Sequence, residues 1–63
     1  MTRDKAEKLA RELSITHNTV AVAFEKVIYP YKVEYDATLE ERYDGEEENV
    51  IAQFSSGILT VIT

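Results

Sequence analysis

Carboxylates are the only side chains present in number that could do chemistry in this 63-residue chain, which has twelve Asp and Glu, seven Lys and Arg, one His and no Cys. Eight of the twelve follow Ile28, where Lys32 and Arg42 are the only bases, whereas the first 28 residues carry five bases and four acids. Glu34, Asp36 and Glu40 fall on even positions of an extended pattern, and such side chains stand in line at about 6.6 Å per two residues. Asp44, Glu46, Glu47 and Glu48 continue the row into the next turn. Proton transfer is a poor use for them. From sequence no partner can be argued that shifts a pKa among them or sets one beside a pocket, and His17 with no thiol makes no nucleophile–base pair, so catalysis is not expected. Glu46 to Glu48 lack the spaced ligands and the glycine of an EF-hand loop, so no metal and no cofactor is expected either. What remains is an anionic surface, which repels nucleic acid and membranes and attracts cationic partners.

The elements that must carry this row are read from periodicity. Thr2 caps a helix with Asp4 in its first turn, where the helix dipole favours a carboxylate. Ala6, Leu9, Ala10 and Leu13 follow at i, i+3, i+4, i+7, which predicts a helix over Arg3 to Leu13. Ser14 to Asn18 are hydroxyl, β-branched and amide residues that compete with helical backbone bonding. His17 is read there as a loop residue. Thr19 to Ile28 fits two patterns. Val20, Val22 and Phe24 alternate as in a strand, while Val20, Ala23, Phe24, Val27 and Ile28 would line a second helix. The β-branched residues favour the strand and the alanines favour the helix. The strand is taken as the reading, with the helix as its alternative.

Beyond Pro30, Val33, Tyr35, Ala37 and Leu39 alternate with Glu34, Asp36, Thr38 and Glu40, giving one core face and one acidic face. Asp44-Gly45 is a favoured hairpin dipeptide. Val50, Ala52 and Phe54 form the next inward face, Ser55-Ser56-Gly57 turns the chain, and Ile58 to Ile62 is the last strand. The expected fold is α+β, an N-terminal helix packed on a three- to four-stranded antiparallel meander in a single domain. Such a domain buries only about 60% of its unfolded surface and, without Cys, depends on packing or self-association. No apolar run approaches a membrane span or a signal-peptide core, so a cytoplasmic chain is expected.

The segment KLARELSITHNTVAVAFEKV after Glu7 resembles the helix-turn-helix of GntR-type and related bacterial regulators. Leu9, Ala10, Leu13, Ile15 and Val20 stand at its helix-packing positions, and Asn18-Thr19 opens the recognition helix. The resemblance implies a small DNA-binding regulator reading bases through His17, Asn18 and Thr19, with the acidic hairpin as its wing. Two departures weigh against DNA. Ser14 stands where that family usually has its turn glycine, and Ala21-Val22 stand where it often has basic or polar readers. The segment offers almost nothing to neutralise phosphate. The stretch VIAQFSSGILTVIT is similar to the FSSG hairpin in repeats of the TATA-binding protein fold, which supports the turn at Ser55-Ser56-Gly57.

The function expected is an acidic protein–protein interaction module. Short acidic α+β chains resemble, in composition and size, phage-encoded inhibitors that imitate DNA. Duplex DNA carries a charge about every 1.7 Å of axis, several-fold denser than this row, so the row suits a cationic groove that grips a few phosphates. Glu34, Asp36, Glu40, Asp44, Glu46, Glu47 and Glu48 are the expected partner-binding residues, and the partner is a basic or nucleic-acid-binding protein. A solvated face that keeps a small protein soluble is the bland counterpart. Direct nucleic-acid binding and membrane association are not expected. Val27, Tyr29, Ile51, Ile58 and Ile62 are expected on the sheet face away from the single helix, beside an apolar last strand, which suggests a homodimer or a partner completing the sheet.

Overall fold

The helix begins where the sequence places it. Thr2 is extended (φ −76°, ψ 162°) and its side chain accepts the Lys5 N–H, a capping bond that satisfies one of the helix's unpaired first-turn donors. The computed structural model describes residues 1–62. It has α1 (Arg3–Thr16), β1 (Val20–Ile28), β2 (Lys32–Leu39), β3 (Val50–Ser55) and β4 (Ile58–Ile62), with short 3-10 turns at Glu40–Arg42 and Glu47–Asn49. The four strands make one antiparallel sheet in the order β2-β1-β3-β4, and α1 covers one face of it.

The helix runs through Ser14 to Thr16 rather than stopping at Leu13. The Ser14 hydroxyl donates to the Arg11 carbonyl at 2.7 Å and accepts the Gly57 N–H at 2.8 Å. Its hydrogen bonds thus serve the helix and a distant turn instead of breaking the local backbone. Asn18 then takes the left-handed conformation (φ 48°) that ends a helix, and the Thr19 N–H returns to the Ser14 carbonyl at 3.1 Å.

Residues 20–28 are strand, so the second helix of a helix-turn-helix does not form in this segment. β1 lies between β2 and β3. Ala21 and Ala23 face the helix at 0% exposure, and Val22 on the other face is 2% exposed. A strand buried on both faces overrides the helical preference of its two alanines. Ala6 and Ala10 on α1 answer Ala21, Ala23 and Ala52 on the sheet, and these small side chains let helix and sheet approach closely. Leu39, Ile51 and Phe54 supply most of the remaining core volume.

The strand order departs from a serial meander in one place. β3 pairs with β1, not with β2, so Asp44-Gly45 does not form a hairpin turn. Residues 40–49 instead cross the face of β1 opposite the helix, where the Tyr43 ring meets the Phe24 ring at 4.7 Å between centroids. The glycine serves that crossing. A Cβ on Gly45 would lie 2.5 Å from the Tyr43 hydroxyl oxygen. Its role is close approach to a ring, whereas a hairpin would have used positive φ.

The β1–β3 register shifts between Ala23 and Phe24, pairing Ala23 with Ala52 and Phe24 with Val50. Ile51 is the extra residue, and it joins the core at 6% exposure. The expectation that Ile51 lies on an uncovered face is therefore corrected: the bulge turns it inward. The β3–β4 turn is as predicted. Ser56 (φ 47°) and Gly57 (φ 86°) are both left-handed, the signature of a two-residue hairpin loop that matches strand twist.

Candidate interaction surface

The row of carboxylates divides into two parts with different electrostatics. Glu34 and Asp36 lie on the sheet face opposite the helix, registered against Lys26 and Phe24. Glu34 contacts the α-ammonium of Met1 at 3.1 Å and the Lys32 Nζ at 3.0 Å. Asp36 lies 3.6 Å from the Lys26 Nζ and also accepts the Ala37 N–H at 2.8 Å. This half is neutralised within the chain. The cations come from close positions: Lys32 stands two residues before Glu34 on β2, and Lys26 reaches Asp36 diagonally across the β1–β2 pair.

The crossover, residues 40–49, is different. It carries Glu40, Glu41, Asp44, Glu46, Glu47 and Glu48, all exposed, with Arg42 as its one base. None of these six carboxylates forms an ion pair among the described residues. Glu41 was outside the expected set, and its signal in the sequence was simply its place between Glu40 and Arg42. No group of three or more acidic or His side chains converges as a metal site would among the described residues. The arrangement spreads charge over a surface.

Tyr43 fixes this acidic segment to the sheet. Its ring packs on Phe24 and its hydroxyl donates to the Glu46 carbonyl at 2.6 Å. Burial, and then the Glu46 and Asp44 carboxylates, raise the phenol above its ordinary pKa of 10.0. Gly45→Ala should displace this ring and lower stability by about 1–3 kcal/mol, as overpacking does. Urea unfolding and the Tyr43 ring shifts check this, and an unchanged midpoint would refute it.

Under the crossover lies a groove of about 210 Å³, with Val22 and Val50 lining it beside Tyr43, Gln53, Glu40 and Glu47. A second groove, about 260 Å³, separates α1 from β4 and carries both charge signs, including Asp4, Glu7, Lys8 and Arg11. There the Arg11 guanidinium sits 5.2 Å from the Phe54 ring centroid, within cation–π range.

The apolar residues expected on one open face are found in two separate places. Val27 (71% exposed) and Tyr29 (92%) belong to the β1–β2 hairpin tip, which Tyr31 and Val33 share. Val27 registers with Val33 on the helix side of the sheet, past Tyr35, whose carbonyl accepts from the Met1 α-ammonium. Ile58 and Ile62 are exposed on β4, and Ile62 lines the groove beside α1. Two tyrosines flanking Pro30 were the available sequence signal for the tip. His17 is exposed at the C-terminal cap of α1.

The Lys32 hydrogen bond, followed by that from the N-terminus, holds the Glu34 carboxyl below its ordinary 4.5. A lowered folded pKa contributes stability that is present above the ordinary value and lost as pH falls through the folded one. Glu34→Gln should therefore flatten the loss of thermal stability below pH 4.5, an effect that added salt shrinks because the pair is exposed. Parallel melts of the two proteins across that range test it, and equal acid sensitivity would refute it. No helix among the described residues is long and apolar enough to cross a membrane. No family model, curated protein or solved structure matches the chain.

Proposed function

We propose that this chain is an acidic protein–protein interaction module that occupies a cationic, nucleic-acid-binding groove on a partner protein, in the manner of an inhibitor that imitates DNA. The observation that carries this reading is the crossover: six carboxylates in ten residues, all exposed and without ion pairs among the described residues. A solvated surface needs only dispersed charge. Here the charge is concentrated on one segment that Tyr43 and Gly45 hold against the sheet. A segment already held against the sheet loses less backbone freedom on meeting Arg and Lys, which favours association. Glu34 and Asp36 contribute less, because they already have cationic partners.

The reading places the chain in the cytoplasm, where nucleic-acid-binding proteins work. Self-association through β4 belongs to it as well, since Ile58, Leu59, Thr60, Val61 and Ile62 form an edge without the Lys or Pro that guards against strand pairing. Sedimentation at high micromolar concentration tests that part, and a monomer refutes it.

The main test offers the immobilised chain the heparin-retained proteins of a lysate, with duplex DNA as competitor. Capture that DNA displaces, and that Glu46→Gln, Glu47→Gln and Glu48→Gln together abolish, is the expected result. Capture indifferent to those substitutions would overturn the proposal. So would binding of duplex DNA by the chain itself with steep weakening between about 50 and 200 mM salt.

A further inference from the structure

We infer that the groove beneath the crossover is a receptor for one arginine side chain of the partner protein. The inference rests on the acidic-surface reading and names the contact within it. At about 210 Å³ the groove is below the usual range for a drug-sized ligand. It suits one long side chain. Val22 and Val50 offer apolar surface to a methylene stem, and Tyr43 offers an aromatic ring. Glu40 and Glu47 come from opposite ends of the crossover, one in each 3-10 turn, and both line this groove. Neither carboxylate has an ion pair, and the Gln53 side-chain amide has no hydrogen bond, among the described residues. Three unengaged polar groups thus border one small apolar-floored site.

Charge decides the class of occupant and shape decides the residue. An anion is repelled by the two carboxylates that line the groove. A neutral apolar side chain would leave both carboxylates partly desolvated and unpaired, which is unfavourable. Between the cationic side chains, guanidinium presents donors along two edges of a plane and stacks on aromatic rings. Ammonium is a compact and strongly hydrated point charge. Two carboxylates and an amide around one aromatic wall match the planar fork.

The test titrates the isotope-labelled full chain with acetyl-Gly-Arg-Gly-amide, its Lys and citrulline counterparts, and an oligoarginine peptide, followed by amide chemical shifts. The Arg peptide should give saturable shifts at Val22, Val50 and Gln53. Glu40→Gln or Glu47→Gln should each weaken it about ten-fold, the size of one hydrogen bond to a charged group. Citrulline should give no saturable shift and Lys a weaker one. Lys binding as tight as Arg overturns the arginine assignment. Shifts confined to Asp44, Glu46 and Glu48, and insensitive to Glu47→Gln, overturn the groove while supporting the acidic surface. No response to either the Arg tripeptide or oligoarginine overturns both.

Discussion

Phe54→Ala is expected to abolish cooperative folding at room temperature. Five of the eight core residues are alanines, namely Ala6, Ala10, Ala21, Ala23 and Ala52, and Phe54 is the largest side chain among the eight. It is 4% exposed, and its ring also lies within cation–π reach of Arg11. Truncating a buried Phe costs about 3–5 kcal/mol, and the high end applies where neighbours cannot collapse into the space. Short alanine side chains on hydrogen-bonded strands cannot. At about 0.05–0.15 kcal/mol per residue a chain of this length has roughly 3–9 kcal/mol in total, so at the middle of both ranges this one substitution removes most of it. Thermal melts by circular dichroism are the measurement. Phe54→Leu should keep a cooperative transition at reduced midpoint, and a Phe54→Ala melt within a few degrees of the parent would refute the account of the core.

Ser14→Ala should destabilise the domain by about 1–2 kcal/mol, because it leaves the partly buried Gly57 N–H without its acceptor. For a domain of this size that lowers the melting temperature by roughly 4–16 °C. The sign is the informative part. In a helix judged by propensity alone, Ser to Ala gains a few tenths of a kcal/mol. A higher midpoint would therefore show that the hydroxyl is not holding the β3–β4 turn. Faster exchange of the Gly57 amide in the variant would identify the bond responsible, since its protection depends on that one acceptor.

Ser14 also shows where sequence reading stops. As a local residue it looks like a helix breaker, and only the contact with Gly57, forty-three positions away, reverses that role. The alternation in β2 was legible because it has a period of two and a bounded length, whereas β3 keeps its expected inward face only at Ala52 and Phe54, the bulge at Ile51 leaving Val50 on the groove side. β1 was ambiguous because its alanines answer a helix–sheet distance that the sequence does not state. The Asp44-Gly45 dipeptide carried a genuine turn signal, yet the glycine accommodates Tyr43 rather than a hairpin. For the interaction surface, composition located the acidic segment between residues 34 and 48. It could not separate Glu34 and Asp36, ion-paired with Lys32, the N-terminus and Lys26, from the unpaired carboxylates of the crossover. Ile51 was misplaced for a related reason, since a single bulge inverts the face to which a strand residue belongs.

The strand order has a consequence for the order in which the molecule is made. α1 and the β1–β2 hairpin are built from near neighbours and need only short closures. The β1–β3 ladder joins Ala23 to Ala52 across roughly thirty residues and bears the larger closure entropy. Until that ladder zips, residues 40–49 are held across β1 by little more than the Tyr43–Phe24 ring contact. The anionic surface thus takes its final shape only with the finished sheet, and the partner proposed above would in binding it also sense complete folding.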